Sequence, residues 1–440
     1  MWFGGSMTVR GQFGKYVSQN ILGMVGISLY ILADTFFISL AEGADGITAL
    51  NLVLPLYSLI YAIGAMIGVG SAIRFKILKA KGEKSAEMYF SNAIMFALFI
   101  SVVFMISGWI FPKQLIRALG GDEIIVKVGT PYTRIFMLFA PFFMWNHICN
   151  AFVRNDGAPS VAMTATVVSS LFNIVMDYVL MFPLGLGMVG AALATAISPI
   201  IGILICCVHF FSKKSTICLH WGVPSVKKML QSCQLGISAF VGEISSGVTT
   251  IIFNMLILSI AGNIGVAAYG VVANTSLVAI SVFNGVSQGA QPLISEYYGR
   301  GEKDAVKRLL RMGVVTSLVL ALIIVGTVWC FAGNIVAIFN SEQDVVLAAY
   351  GIRGIRLYFI GFLFAGINIL GTGFLSAVED AKMAFFTSIL RGFVAIILSA
   401  VFMAKLFGMT GVWLAFPVAE LITFLATMIA LHQINRKILT

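Results

Sequence analysis

The sequence predicts an all-α integral membrane protein: about twelve transmembrane helices in two six-helix bundles, related by a pseudo-two-fold axis along the membrane normal. Three observations carry this. Hydrophobic residues make up 59% of the 440 residues and charged residues only 10%, with a mean hydropathy of +0.99, whereas soluble domains are roughly a quarter charged. Apolar runs of roughly 20 residues, long enough to cross a hydrocarbon core of about 30 Å as helices, recur from end to end. The second half of the chain also repeats the first.

The first six spans are expected over 14–40, 47–71, 88–111, 130–153, 160–182 and 187–211. The second six are expected over 231–260, 266–293, 312–333, 351–376, 383–405 and 411–433. A barrel would show short alternating segments instead of long uninterrupted runs. The first run is too long for a signal-peptide core and lacks a small-residue cleavage site, so it is expected to remain as a span; a start at Met7 is also readable. The corresponding domains are 1–212, an inter-lobe segment 213–230, and 231–440.

The charges between the spans set an expected orientation. Arg10 and Lys15 precede the first span; Arg74, Lys76, Lys79, Lys81 and Lys84 follow the second; Arg154 follows the fourth; Lys213, Lys214, Lys227 and Lys228 lie between the halves. Arg300, Lys303, Lys307, Arg308 and Arg311 follow the eighth, Lys382 the tenth, and Arg436 and Lys437 close the chain. The opposite loops hold chiefly Lys113, Arg117 and Lys127. Positive charge collects on the cytoplasmic side of a bacterial inner membrane, so both termini are expected there. The net charge of +10 is thereby explained without nucleic acid. The cysteines, Cys149, Cys206, Cys207, Cys218, Cys233 and Cys330, fall in spans or on that reducing side, so no disulfide is expected. No histidine has metal-ligand spacing to a cysteine.

A shift of 219 residues aligns Gly82, Glu83, Lys84 and Ala86 with Gly301, Glu302, Lys303 and Ala305; Gly70 with Gly289; and Gly43, Gly46 and Ala49 with Gly262, Gly265 and Ala268. A shift of 221 matches LGMVGAALA to FGMTGVWLA through Gly187, Met188 and Gly190 against Gly408, Met409 and Gly411. An even number of spans separates equivalent positions, so the two lobes enter the membrane from the same side, as in parallel-repeat transporters with substrate sites near the midplane.

The segments LYILADTFFISLAEGADGITALNLVLP, NAFVRNDGAPSVAM, LFNIVMDYVLMFPLGLGMVGAALATAIS and GAQPLISEYYGRGEKDA resemble the multidrug and toxic compound extrusion (MATE) family, and the likeness covers essentially the whole chain. It implies a V-shaped pair of bundles acting as a proton- or sodium-driven antiporter that exports cationic or amphipathic compounds. Mapped by residue, the family's amino-terminal ion site falls on Asp34, Asn150, Asn173, Asp177 and Thr195. Two departures stand out. Gln19 occupies a position where many relatives carry a helix-bending proline. Glu243 matches an acidic position of some members, but Asn368 in span ten has no carboxylate beside it, which makes a second ion site less expected.

The residues support the same centre without the family. Asp34 and Asp177 lie inside apolar spans, where an ionisable group costs several kcal/mol unless it meets a cavity or a partner. Asn173 precedes Asp177 by four residues, as Tyr30 precedes Asp34, so each pair shares a helix face. Oxygen ligands of this kind suit a proton or a small hard cation. The alternative is that such groups only staple helices by hydrogen bonds, a reading with equal standing for Asn150 and Thr195. The duplication favours function for the aspartates, because Asp34 lines up with Phe253 or Asn254 and Asp177 with Leu398 or Ser399.

Tyr30, Glu243, Asn274 and Gln288 are candidates for substrate contact or a second ion site, and Gln291 joins Gln288 and Asn274 as a cleft-lining or helix-bonding group. Glu420 in span twelve is expected to pair with Arg391 in span eleven as a structural ion pair, since buried charges demand partners. The 35 phenylalanines and 20 methionines suit a plastic cation-binding wall, though most must face lipid or helix interfaces. GAMIGVG, Gly64 to Gly70, lies within a span with no GxxxxGK after it, so it reads as helix packing. No cofactor or catalytic residue is expected, no metal beyond a coupling ion of H+ or Na+, and a monomer is expected. The nearest alternative is a flippase for lipid-linked oligosaccharide or other lipid, for which several deep cations are expected where Arg391 is the main one. An enzyme lacks a nucleophile with its base. A channel is separated by testing whether flux saturates and exchanges strictly with an ion.

Overall fold

A computed structural model describes residues 8–220, 224–340 and 343–439; Met7 lies outside them. The helices in chain order are α1 Val9–Ala80, α2 Met88–Ile110, α3 Pro112–Ala118, α4 Glu123–Leu138, α5 Ala140–Asn155, α6 Pro159–Met181 and α7 Gly187–Phe210. They continue as α8 Val226–Gly299, α9 Lys303–Phe339, α10 Val345–Phe359, α11 Phe362–Ala377, α12 Ala381–Ile389 and α13 Ile396–Leu439. A π-helical turn, Leu390–Ala395, joins the last two.

These elements make about twelve crossings. α1 divides into Val9–Gly43 and Thr48–Ala80. α8, at 74 residues, would run about 110 Å if straight, far more than one crossing needs, and it breaks at Gly262 with φ 66° and ψ −160°. The run through α12 and α13 breaks likewise at Gly408, φ 57°. Two further crossings are bent pairs, α4 with α5 at 49° and α10 with α11 at 47°. The expected spans 130–153 and 351–376 are therefore longer than the apolar pattern shows: helix begins at Glu123 and Val345, under charged or mixed sequence.

The duplication recurs in the backbone. Gly43 and Gly262 both reverse the chain at φ near 61° and 66°, Gly82 and Gly301 at 76° and 74°, and Gly187 and Gly408 at 49° and 57°. A side chain at Gly43 or Gly262 would be strained, because that region is open chiefly to residues without a Cβ. The expected loop between the first two spans is thus a one-residue break in otherwise helical backbone.

Packing divides the chain into two compact units, Ser18–Ile244 and Met1–Val17 with Ser245–Thr440. The first is built around buried Phe75, Phe136, Phe143 and Phe152, the second around Phe253, Phe283, Phe362 and Trp413. Within the first unit, the segment after α7 is sewn to the helix ends. Asp156 accepts from Lys79 Nζ at 2.6 Å, from the Thr216 amide at 2.9 Å and from the Thr216 hydroxyl, and bonds His209 Nε2 at 2.8 Å. Ser91 Oγ accepts from the His220 amide, and Asn92 exchanges hydrogen bonds with the Ser225 backbone at 2.7 and 3.2 Å.

Candidate ion and substrate site

Three helices of the first unit bring together most of the sequence-derived centre. α7 opens with the small residues Gly187, Gly190, Ala191, Ala192 and Ala194, which let it lie against α6; a Cβ at Gly190 would stand 2.8 Å from the Leu180 carbonyl carbon. Close approach of this kind is what small residues permit between membrane helices. It sets Thr195 beside Asn173, whose Nδ2 donates to the Thr195 hydroxyl at 3.4 Å. Asp177 follows one turn along the same α6 face, and Asp34 comes from α1.

Burial is complete or nearly so: Asn173 and Asp177 are 0% exposed, Thr195 4% and Asp34 8%. The two carboxyl groups lie within hydrogen-bonding reach of each other; outside that pair, Asp34 Oδ1, both oxygens of Asp177 and Asn173 Oδ1 have no hydrogen-bond partner. Buried oxygens are ordinarily satisfied, and an unsatisfied one costs roughly 1–3 kcal/mol, more if charged. Four such acceptors in one neighbourhood, with no ion pair to either aspartate among the described residues, are chemically able to hold a proton or a hard cation.

Asn150 ties α5 to α6 within the same unit: its Nδ2 donates to the Ala162 carbonyl at 3.1 Å and the Thr166 hydroxyl at 2.8 Å. Gln19 bonds α1 to α6 in the same manner, donating to Ser160 Oγ at 2.8 Å, and the helix runs unbroken past it.

An aromatic cluster adjoins the carboxylates. The Tyr30 hydroxyl lies 3.3 Å from those of both Tyr57 and Tyr61, whose rings stack at 4.4 Å. Phe136 and Phe143 pack against Tyr57 at 5.1 and 5.7 Å, and His147 meets Tyr61 edge-on at 4.6 Å. Tyr132, from α4, interacts with Thr195 and senses both Asp34 and Asp177. The sequence reading missed Tyr57, Tyr61 and Tyr132; the i, i+4 spacing of Tyr57 and Tyr61 was the available signal. Glu243 is exposed, with the Tyr61 hydroxyl within its electrostatic reach.

The second unit has a different polar centre. Glu420, 3% exposed, accepts from Arg391 Nε at 2.8 and 3.2 Å and from Asn368 Nδ2 at 2.7 Å. The π turn carries Arg391. Asn274 and Gln288 are half-buried on α8, and Gln291 donates to Ser295 Oγ at 3.1 Å.

Comparison with known proteins places these features in context. The family model MatE matches residues 20–179 and 239–401. The multidrug export protein MepA of Staphylococcus saprophyticus is 27% identical over 440 residues, covering 99% of this chain and 96% of the relative. MepA of Staphylococcus aureus strain MSSA476 is 27% identical over 422 residues, covering 95% and 92%. Among solved structures, an outward-facing multidrug resistance MATE family transporter of the MOP superfamily superposes with a TM-score of 0.92 at 20% identity, covering 98% of this chain and 97% of that one. A MOP superfamily transporter from Pyrococcus furiosus, described as having a binding pocket of reverse polarity, gives 0.89 at 20% identity, covering 99% and 100%.

Proposed function

The chain belongs to the MatE family of multi-pass membrane transporters, and from that premise we propose that it is a secondary antiporter exporting cationic or amphipathic organic compounds in exchange for protons or sodium ions. Multidrug export by the MepA relatives supports the efflux reading. The observation that carries the coupling assignment is the set of buried oxygens on Asp34, Asp177 and Asn173 that no group outside the aspartate pair satisfies.

Two adjacent buried carboxylates hold negative charge at high cost unless a proton or cation shares the site. When the coupling ion leaves, the pair gains charge and attracts an organic cation, and the tyrosines offer ring faces to the same cation. When the ion returns, that attraction is cancelled. Asn173 and Thr195 orient the centre and add oxygen ligands. Exchange then follows from differential affinity, because an ion shifts an equilibrium only as far as it binds the two states unequally. One proton exchanged for one monovalent cation moves no net charge, whereas each uncompensated charge is worth about 2.3 kcal/mol per 100 mV.

A phosphate-bearing cargo is disfavoured at this anionic centre, which weighs against the flippase alternative. The protein is proposed to act as a monomer in the bacterial plasma membrane, with both termini and the 213–230 segment cytoplasmic. Efflux from proteoliposomes under proton and sodium gradients, imposed separately, tests the proposal: one gradient should drive concentrative export. Export driven by neither, with passive leak alone, would contradict it.

A further inference from the structure

Lys113, Arg117 and Lys127, three basic residues that fall outside the main charge clusters, do not scatter. Lys113 and Arg117 sit one turn apart on α3, Lys127 is on the first turns of α4, and together they line a recess of about 320 Å³ with Glu123, Val126 and Thr130. Arg117 Nη2 pairs with Glu123 Oε1 at 2.8 Å, both partners exposed. Lys113 and Lys127 form no ion pair among the described residues, so the recess holds surplus positive charge.

The position of the recess argues for what fills it. The α2 end at Asn92 bonds Ser225, so the α3 end lies across the membrane from the 213–230 segment; Trp109 is about 25 Å further along α2 than Asn92. α4 turns Ile125, Val126, Tyr132, Phe136 and Met137 inward and leaves Lys127 and Arg134 on its outer face. Arg134 is seven residues, about 10 Å, deeper along the helix than Lys127. Its guanidinium lies 5.9 Å from the Trp109 ring and has no ion pair among the described residues.

A guanidinium on the lipid-facing side of a span is costly unless it reaches interfacial phosphate. Beside it, α2 exposes an apolar strip: Phe99, Val103, Ile106 and Trp109, each more than half exposed. Cations above and alongside an apolar strip match an amphiphile with an anionic head, whose phosphate oxygens accept charge-assisted hydrogen bonds from Lys and Arg at the membrane interface. A free anion has no use for the strip.

We infer that the recess between α3 and α4 is a binding site for the phosphate headgroup of an anionic phospholipid, with Lys113, Arg117, Lys127 and Arg134 as its cations and the acyl chains lying along α2. The site is separate from Asp34 and Asp177 and does not depend on the efflux reading.

The test is lipid retention by the purified full-length protein, measured by native mass spectrometry in detergent doped with phosphatidylglycerol or phosphatidylcholine, alongside the thermal midpoint in each. Wild type should retain phosphatidylglycerol in preference and unfold at a higher temperature in it. Lys113→Gln with Lys127→Gln should lower retention several-fold, and Arg134→Gln should lower it on its own. The control pair Lys213→Gln with Lys214→Gln, at the opposite end, should leave retention unchanged, while Lys113→Arg with Lys127→Arg should preserve it. Retention indifferent to the Lys113 and Lys127 changes, or equally reduced by the control pair, would overturn the inference. So would millimolar inorganic phosphate raising the midpoint as much as the lipid, which would mark a free-anion site.

Discussion

Arg391 Nε donates to both carboxylate oxygens of Glu420, at 2.8 and 3.2 Å, from the only π-helical turn among the described residues. The widened turn adds a residue to the helix and carries Arg391, which meets Glu420 of α13; such bulges recur at functional positions. Glu420 therefore carries a built-in counter-cation, whereas Asp34 and Asp177 have no ion pair among the described residues. That contrast supports the proposal that the exchangeable charge sits in the first unit.

Removing one partner of this pair should be costly. Arg391→Met leaves the Glu420 carboxylate buried and without its counter-cation, a loss of about 3 kcal/mol, and Glu420→Gln should cost less because Arg391 is partly exposed. The double replacement Arg391→Met, Glu420→Met should recover much of it. Thermal unfolding followed by tryptophan fluorescence reads the difference. Single variants as stable as wild type would show that the pair is idle.

Asp156 gives a pH prediction. Burial works to raise its carboxyl, but Lys79, the Thr216 hydroxyl and amide, and His209 outweigh it and hold the group below the ordinary carboxylate range. A depressed folded value means the stabilisation is present above the unfolded value of about 3.9 and is lost as pH falls through the folded one. The stability gap between wild type and Asp156→Asn should thus persist undiminished from pH 8 to pH 5. Narrowing between pH 7 and pH 5 would contradict this.

The charge asymmetry predicts topology. In a cysteine-free background, single cysteines at Ser85, Ser215 and Asp304 should resist impermeant thiol reagents in intact cells, while one at exposed Gln114 should react. The reverse pattern would invert the orientation.

Asp177→Asn keeps the size of the side chain but cannot ionise. The variant should insert and fold, with ion-driven efflux reduced at least 100-fold, a loss equivalent to about 2.7 kcal/mol. Efflux at the wild-type rate would remove Asp177 from coupling.

Much of this was legible in the sequence for physical reasons. Spans are forced by the length of apolar runs, and Asp34 and Asp177 stand out because a carboxylate in such a run needs a reason. The hydrogen bonds of Asn150 were not legible: an intramembrane amide reads alike whatever its Nδ2 donates to, here the Ala162 carbonyl and the Thr166 hydroxyl. Tyr57, Tyr61 and Tyr132 were hidden because aromatic residues in a span look the same facing lipid or a polar centre. Arg134 was hidden because only the fold sets it on the outer face of α4 beside Trp109. Glu123 and Val345 begin helices where charge interrupts the apolar pattern, so the α4 and α10 halves of the bent spans lay partly outside it.

The coupling ion and a cationic substrate are proposed to compete through the Asp34 and Asp177 carboxylates. The most direct measurement is equilibrium binding of a permanently charged organic cation to purified protein, titrated with protons and with sodium separately. Affinity should fall as one of the two ions rises, and Asp34→Asn with Asp177→Asn should flatten that dependence. Wild-type affinity unchanged across both titrations would contradict the account.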